Sequence, residues 1–395
     1  MDLTQQMNRN LKHVSASPIL SFSDLANSIP GSVKFTLGEP DFNTPEHIKQ
    51  AAVASIQANH SHYAPSNGTP GLKSAISQFL ANKYDQHYDP DQIIVTCGAT
   101  EAIYTTVTSV LNPGDKVIVP TPTFPMYMAT VAVAGGEVVP VNTAANNFKL
   151  SPDLLQSALQ QAGDRVKLLI LNYPGNPTGV TYTQAELDAL ADVLRDRPIF
   201  VMCDEIYSEL VYNDPQKHPS LAHSLPEQTI VINGVSKSHA MTGWRIGFMC
   251  ACPAIIQELG KIHQFTITSA ATMTQDAAEA ALKDGPDDAL PMRAEYQERR
   301  DFIIQQLADM DFQCAQPDGA FYVFAKIPAD LNQNDDEFAH DLLKANKVAL
   351  IPGSYFGPGG AGYLRLSYAT SMAEIEHGMQ LMHEYVQNQR NQNSN

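Results

Sequence analysis

Seven short apolar runs, set between helical patterns, most constrain how this chain folds. They read DQIIVT, DKVIVP, GEVVPV, VKLLILN, PIFVMCD, QTIVING and RIGFMCA. Each is rich in Val and Ile and lacks apolar–polar alternation, so each is expected to be buried on both faces. Between them lie stretches such as PDLLQSALQQAG and TQAELDALADVLRDR, in which apolar residues recur every three or four positions. Buried strands alternating with amphipathic helices predict a mostly parallel sheet with helices on both faces, a three-layer α/β/α domain. This pattern occupies residues 44–285. After Gly285-Pro286 the order changes to a long helix over about Ala289 to Ala308, then AFYVFAKI, DEFAHDLLKAN, VALIPG, YLRLSYA and SMAEIEHGMQLMHEYV. Mixed order predicts a smaller α+β domain over 286–395. Residues 1–43 are too few for a domain and are expected to form an arm or to join the C-terminal part.

Composition narrows the function. The chain has 395 residues, 44% of them hydrophobic and 17% charged, which suits a large globular core. Its formal charge of −17 repels nucleic acid and anionic membrane surfaces and favours small-molecule work. The five cysteines, Cys97, Cys203, Cys250, Cys252 and Cys314, form no Cys-x-x-Cys pair. They read as reduced thiols, and Cys250 and Cys252 in GFMCACP as core residues rather than metal ligands. The polar start MDLTQQMNRNLKH indicates no signal peptide, and no run of eighteen apolar residues exists to span a membrane. A cytoplasmic location is expected. The tail VQNQRNQNSN is expected to fray.

In an open α/β sheet, ligands bind beyond the carboxyl ends of the strands. The first run ends at CGATEAIYTT, where Gly98 allows close backbone approach and a helix starts near Ala99. Free amides at such a start suit a phosphate, although an ordinary strand–helix turn reads the same. KLLILN ends in NYPGNPTG, whose two prolines and two glycines hold a loop rigid and aim Asn176. The Asn176–Pro177 peptide is expected to be cis. PIFVMC ends at Asp204, with Tyr207 three residues on. A carboxylate there needs a cation, or else caps a helix. TIVING runs into GVSKSHAMTGWRIGF, where Lys237 has no carboxylate within five positions and Arg245 follows. An anion site, a rigid Asn, a carboxylate with a tyrosine, and a lysine with an arginine are what pyridoxal phosphate requires: an amine for its aldehyde, an acid for its ring nitrogen, donors for its phenolic oxygen and a cradle for its phosphate.

NYPGNPTG, CDEIY and SKSHAMTGWRIG, in this order and spacing, resemble the class I/II pyridoxal-phosphate aminotransferases of fold type I over nearly the whole chain. The resemblance implies that Lys237 takes the cofactor aldehyde and that Asp204 pairs with the ring nitrogen. Asn176 and Tyr207 would bond the phenolic oxygen, and Phe124 in PTPTFPMY would stack on the ring. Gly98, Ala99, Thr100, Ser236 and Arg245 would hold the phosphate. Tyr63 in SHYAPSNGTPG would reach the phosphate of a partner subunit, making a homodimer with active sites at the interface. Arg365 in YLRLSYA would clamp the substrate carboxylate, with Gly38 in FTLGEPDF and Asn176 beside it.

Two positions depart from the pattern. Many relatives have a serine three residues before the lysine; here it is Gly234, so Ser236 and Arg245 must carry more of the phosphate. Aspartate-dedicated relatives often have an arginine near GKIHQFTITS, where this chain has Lys261 and His263. The reading is therefore an aminotransferase acting on aromatic or varied L-amino acids with an acceptor such as 2-oxoglutarate, with side-chain choice made around Ile19 and Leu20, by the partner's loops and by domain closure; acyl-diaminopimelate and dicarboxylic substrates stay open. A C–S β-lyase of the same fold is the alternative. A regulator using this fold would carry a DNA-binding domain in front, and fewer than forty residues precede FTLGEPDF.

Overall fold

A computed structural model describes residues 1, 3–213 and 218–393. The strands are β1 (Val33–Lys34), β2 (Ile93–Thr96), β3 (Lys116–Thr121), β4 (Glu137–Asn142), β5 (Val166–Asn172), β6 (Phe200–Asp204), β7 (Thr229–Gly234), β8 (Gly247–Cys250), β9 (Gln313–Cys314), β10 (Tyr322–Lys326), β11 (Val348–Ala349), β12 (Ile351–Pro352) and β13 (Tyr363–Ser367). The helices are α1 (Pro18–Ser28), α2 (Glu46–Gln57), α3 (Pro70–Tyr84), α4 (Gly98–Val110), α5 (Met126–Val133), α6 (Pro152–Ala162), α7 (Gln184–Leu194), α8 (Pro253–Ile267), α9 (Thr272–Asp284), α10 (Ala289–Asp309), α11 (Asp335–Asn346) and α12 (Met372–Asn393).

The seven apolar runs form one sheet in the order β2-β8-β7-β6-β5-β3-β4. All neighbours are parallel except those of β8, which runs antiparallel to both β2 and β7. Successive residues of one strand face opposite layers, which is why the strands lack alternation. Leu168 and Ile170 of β5 pack with α4, α5 and α8, while Leu169 and Leu171 pack with α6 and α7. The same split separates Met202 from Val201 and Cys203 on β6. Cys250 lies in β8 and Cys252 just before α8, and both are buried.

The C-terminal part builds an antiparallel sheet in the order β12-β13-β10-β9. Its core also takes Phe22 and Ala26 of α1, Val33 of β1 and Phe35 just after it. β1 pairs in parallel with β11, Val33 opposite Val348. The N-terminal segment is thus stitched to the last quarter of the chain, and residues 36–38 pass over the carboxyl end of the large sheet on the way out.

The four strand ends that carry the chemistry do not belong to four adjacent strands. β5, β6 and β7 are adjacent, but β8 lies between β7 and β2. Gly234 and Gly247 face each other across β7 and β8. A Cβ on Gly234 would come within 2.9 Å of Gly247 Cα, and one on Gly247 within 2.8 Å of Ala99 N. The inserted strand reaches its place only because both positions lack side chains, so a serine at 234 has no room here.

Candidate active site

A cavity of about 310 Å³ opens at the carboxyl ends of β5, β6 and β7 and the start of α4. It gathers Gly38, Ala99, Thr100, Phe124, Asn176, Asp204, Tyr207, Ser236, Lys237, Arg245 and Arg365 from across the sequence. Gly98 stands just behind, against Arg245. Tyr63 does not join them: it is 88% exposed, in a separate surface hollow with His60 and Met273.

Lys237 is half-buried in the turn after β7. Its Nζ donates to the Gly38 carbonyl and lies 5.9 Å from the Tyr207 and Phe321 ring centres. Burial pushes its pKa down to about 8; Arg245 and Arg365 act in the same sense, against Glu39 and Asp204. An amine brought this near neutrality is a far better nucleophile and base than an ordinary lysine.

Asp204 ends β6 with 4% exposure. Tyr127 of α5 donates to its Oδ2 at 2.6 Å, and the Ile206 amide donates to Oδ1 at 3.2 Å. It makes no ion pair among the described residues. Burial raises its pKa to about 6, against the opposing pull of the Tyr127 and Ile206 hydrogen bonds and of Lys237. No helix starts here: the chain makes a turn, with Ser208 N bonded to the Glu205 carbonyl and Leu210 N to that of Tyr207. The cap reading of Asp204 therefore fails. Tyr207 is held by Tyr322 of β10, hydroxyl to hydroxyl at 2.9 Å.

The loop after β5 is tied down at both ends. Asn172 accepts from the Asn176 amide at 2.9 Å and donates to the Asp204 carbonyl at 3.0 Å. The Asn176–Pro177 peptide is cis, as are Thr121–Pro122 and Tyr173–Pro174. Asn176 Oδ1 accepts from Arg365 Nη1 at 3.0 Å, and Arg365 Nη2 donates to the Thr36 carbonyl at 2.6 Å. Arg365 is 2% exposed, stacked 4.7 Å over Tyr322 and 5.0 Å over Phe356. Among the described residues its Nε has no partner and no acid pairs with it. A buried guanidinium in that condition calls for an incoming anion.

The side chain of Cys97, at the N-cap of α4, makes no capping bond. Gly98 takes φ 75°, and a Cβ there would sit 2.8 Å from Arg245 Nη2, so the glycine is what lets the guanidinium reach the helix start. Ser236 is buried in the same wall. Open helix amides beside an arginine fit a phosphate. A buried acid without a cation fits a protonated ring nitrogen. Lys237 lies in the same cavity, as an aldehyde-binding amine must. These features together fit pyridoxal phosphate.

Tyr127, Tyr322 and Asn172 escaped the sequence reading, as did the backbone carbonyl of Thr36. Lys261 and His263 do not enter the cavity. Lys261 pairs with Glu258 on the surface, and His263 is buried against Glu101. A larger cavity of about 880 Å³ adjoins the first, sharing Ile19, Leu20, Thr100 and Phe124 and continuing along Met126, Met128 and Ala129 of α5.

The family model for aminotransferase class I and II matches residues 30–381. A Bacillus subtilis protein named a probable N-acetyl-LL-diaminopimelate aminotransferase is 40% identical over 97% of this chain and 96% of its own. The aspartate aminotransferase of the same organism is 41% identical over 89% of this chain and 90% of its own. The crystal structure of the aromatic aminotransferase from Pyrococcus horikoshii superposes with a TM-score of 0.86 at 36% identity, covering 93% of this chain and 99% of that one.

Proposed function

The chain belongs to the class I and II aminotransferases, pyridoxal-phosphate-dependent enzymes, and on that premise we propose that it moves the amino group of an aromatic or varied L-amino acid to a 2-oxo acid such as 2-oxoglutarate in ping-pong fashion. The observation that carries this reading is the pair of uncompensated buried charges, Asp204 and Arg365, facing one cavity with Lys237.

Bound pyridoxal phosphate supplies an aldehyde for the amino group and a ring that accepts the electrons left at the substrate Cα. Asp204 would stay ionised beside a cationic ring nitrogen, because that cation would offset the burial that raises its pKa. Asn176 and Tyr207 would offer donors to the phenolic oxygen, and Phe124 would pack against the ring. Ala99, Thr100, Ser236 and Arg245 would hold the phosphate. Lys237 Nζ, when neutral, takes the Cα proton as general base. Arg365 presents a planar fork to the substrate carboxylate, for which a lysine would not serve.

The side chain of the substrate would lie toward Ile19 and Leu20. The apolar second cavity supports aromatic or broad tolerance, and among the described residues Arg245 and Arg365 are the only arginines lining the first. Tyr63, exposed and outside its own cavity, supports a homodimer in which it serves the partner subunit's site; an active monomer by sedimentation would contradict this. The free cysteines fit the reducing cytoplasm. A panel of amino donors with 2-oxoglutarate tests the reading. Glutamate formation is expected, with aromatic donors among the best. Pyruvate and ammonia from a cystathionine-like substrate, without glutamate, would make it a lyase.

A further inference from the structure

The proposed phosphate cradle lies at the start of α4, yet the first turn of that helix carries an acid, Glu101. Glu101 is only 8% exposed. A bare carboxylate there opposes any anion arriving at the same helix end. Glu101 is not bare. Its Oε2 accepts from the Cys97 amide at 3.1 Å, and its Oε1 accepts from the Thr105 hydroxyl at 2.8 Å. His263 of α8, fully buried, brings Nδ1 to 3.1 Å from the same Oε1.

The other ring nitrogen settles the charge of this histidine. His263 Nε2 lies 2.8 Å from the Ser66 carbonyl, which has no proton to give, so Nε2 donates. An ionised carboxylate is acceptor-only, so beside Glu101 Oε1 the Nδ1 atom donates as well. A ring donating from both nitrogens is an imidazolium. Burial opposes that charge, but Glu101 and Ser66 outweigh it and hold the histidine pKa above its ordinary value. Ser66 lies three residues past Tyr63, so the same ring ties the Tyr63 loop to α4.

We propose that His263 is a positioning residue for the cofactor phosphate: its imidazolium cancels the charge of Glu101 at the head of α4 and fastens the Tyr63 loop beside it. This rests on placing the phosphate at α4, as above. His263 touches neither cofactor nor substrate in this scheme. It leaves the helix start free of net negative charge, so that the open amides and Arg245 act on the phosphate unopposed.

The test compares binding of pyridoxal phosphate with binding of pyridoxal, which lacks the phosphate, to cofactor-free protein, read by quenching of Trp244, the only tryptophan. His263→Gln leaves Glu101 uncompensated and should weaken pyridoxal phosphate about tenfold, with pyridoxal changed by less than about twofold. Adding Glu101→Gln should restore the affinity. Parallel weakening of both ligands means a merely structural histidine and overturns the proposal, as does an unchanged affinity or a double variant that fails to recover. If His263→Gln does not fold, Glu101→Gln alone decides: it should bind pyridoxal phosphate at least as tightly as the parent, and weaker binding refutes the role. A parent protein showing no preference for pyridoxal phosphate over pyridoxal would overturn the phosphate assignment itself.

Discussion

Replacing Asp204 with asparagine should make the cofactor-free protein more stable while destroying its function. Burial raises the Asp204 carboxyl from 3.8 to about 6. The folded state therefore holds this proton more tightly than the unfolded chain does. The cost is absent below about pH 4, grows as pH rises, and is complete above about pH 6. At ~1.4 kcal/mol for each pH unit, the window from 3.8 to about 6 amounts to ~3 kcal/mol. Asp204→Asn removes it, while an amide oxygen can still accept from the Ile206 amide. Urea unfolding of both cofactor-free proteins between pH 4 and 8 measures the difference. The advantage of the variant should be ~3 kcal/mol larger at pH 7.5 than at pH 4. A difference independent of pH would refute the claim that Asp204 is held as a costly anion, and with it the reason for expecting a cationic ring nitrogen. With cofactor added the order should reverse, because only the acid gains a partner.

Lys237→Ala should abolish transamination in a glutamate-coupled assay while the protein still binds pyridoxal phosphate by its other contacts; substantial remaining turnover would remove Lys237 from its role. Arg365→Ala should raise KM for the amino acid and the 2-oxo acid alike by about 10–100-fold, the range of a lost charge-assisted hydrogen bond, and an unchanged KM for either would dismiss the clamp. Gly234→Ser should lower stability by ~1–3 kcal/mol through overpacking against Gly247 and Ile246, seen as a reduced urea midpoint; a variant as stable as the parent would show that β7 and β8 can part there.

The sheet was legible because its strands are buried on both faces and so spell themselves as unbroken apolar runs. The loop motifs were legible because glycine, proline and asparagine mark backbone that helices and strands do not use. What stayed hidden came from pairing between distant segments. Tyr127 sits in MYMATVAV, where a tyrosine reads as one more core aromatic, and only the approach of α5 to β6 puts its hydroxyl on Asp204. Tyr322 is one of several consecutive buried residues in β10 and meets Tyr207 only where the smaller sheet packs against the turn after β6. The direction of β8 is likewise unwritten in RIGFMCA, since a strand buried on both faces looks the same read either way. His263 stood out in the sequence only as the place where an arginine was missing, whereas its meaning depends on Glu101 and Ser66, 162 and 197 residues away.

The pairing of β1 with β11 sets an order of assembly during synthesis. Gly38 and Lys237 meet across 199 residues, whereas Thr36 and Arg365 meet across 329. A chain still emerging from the ribosome acquires Lys237, Asp204 and the start of α4 well before β11 exists to anchor residues 33–38 and before β13 delivers Arg365. The part of the cavity built by β5, β6, β7 and α4 is therefore made before Arg365, which lines its other side. A chain cut short ahead of β11 would keep Lys237 and Asp204 but lack both Arg365 and the strand that anchors residues 33–38.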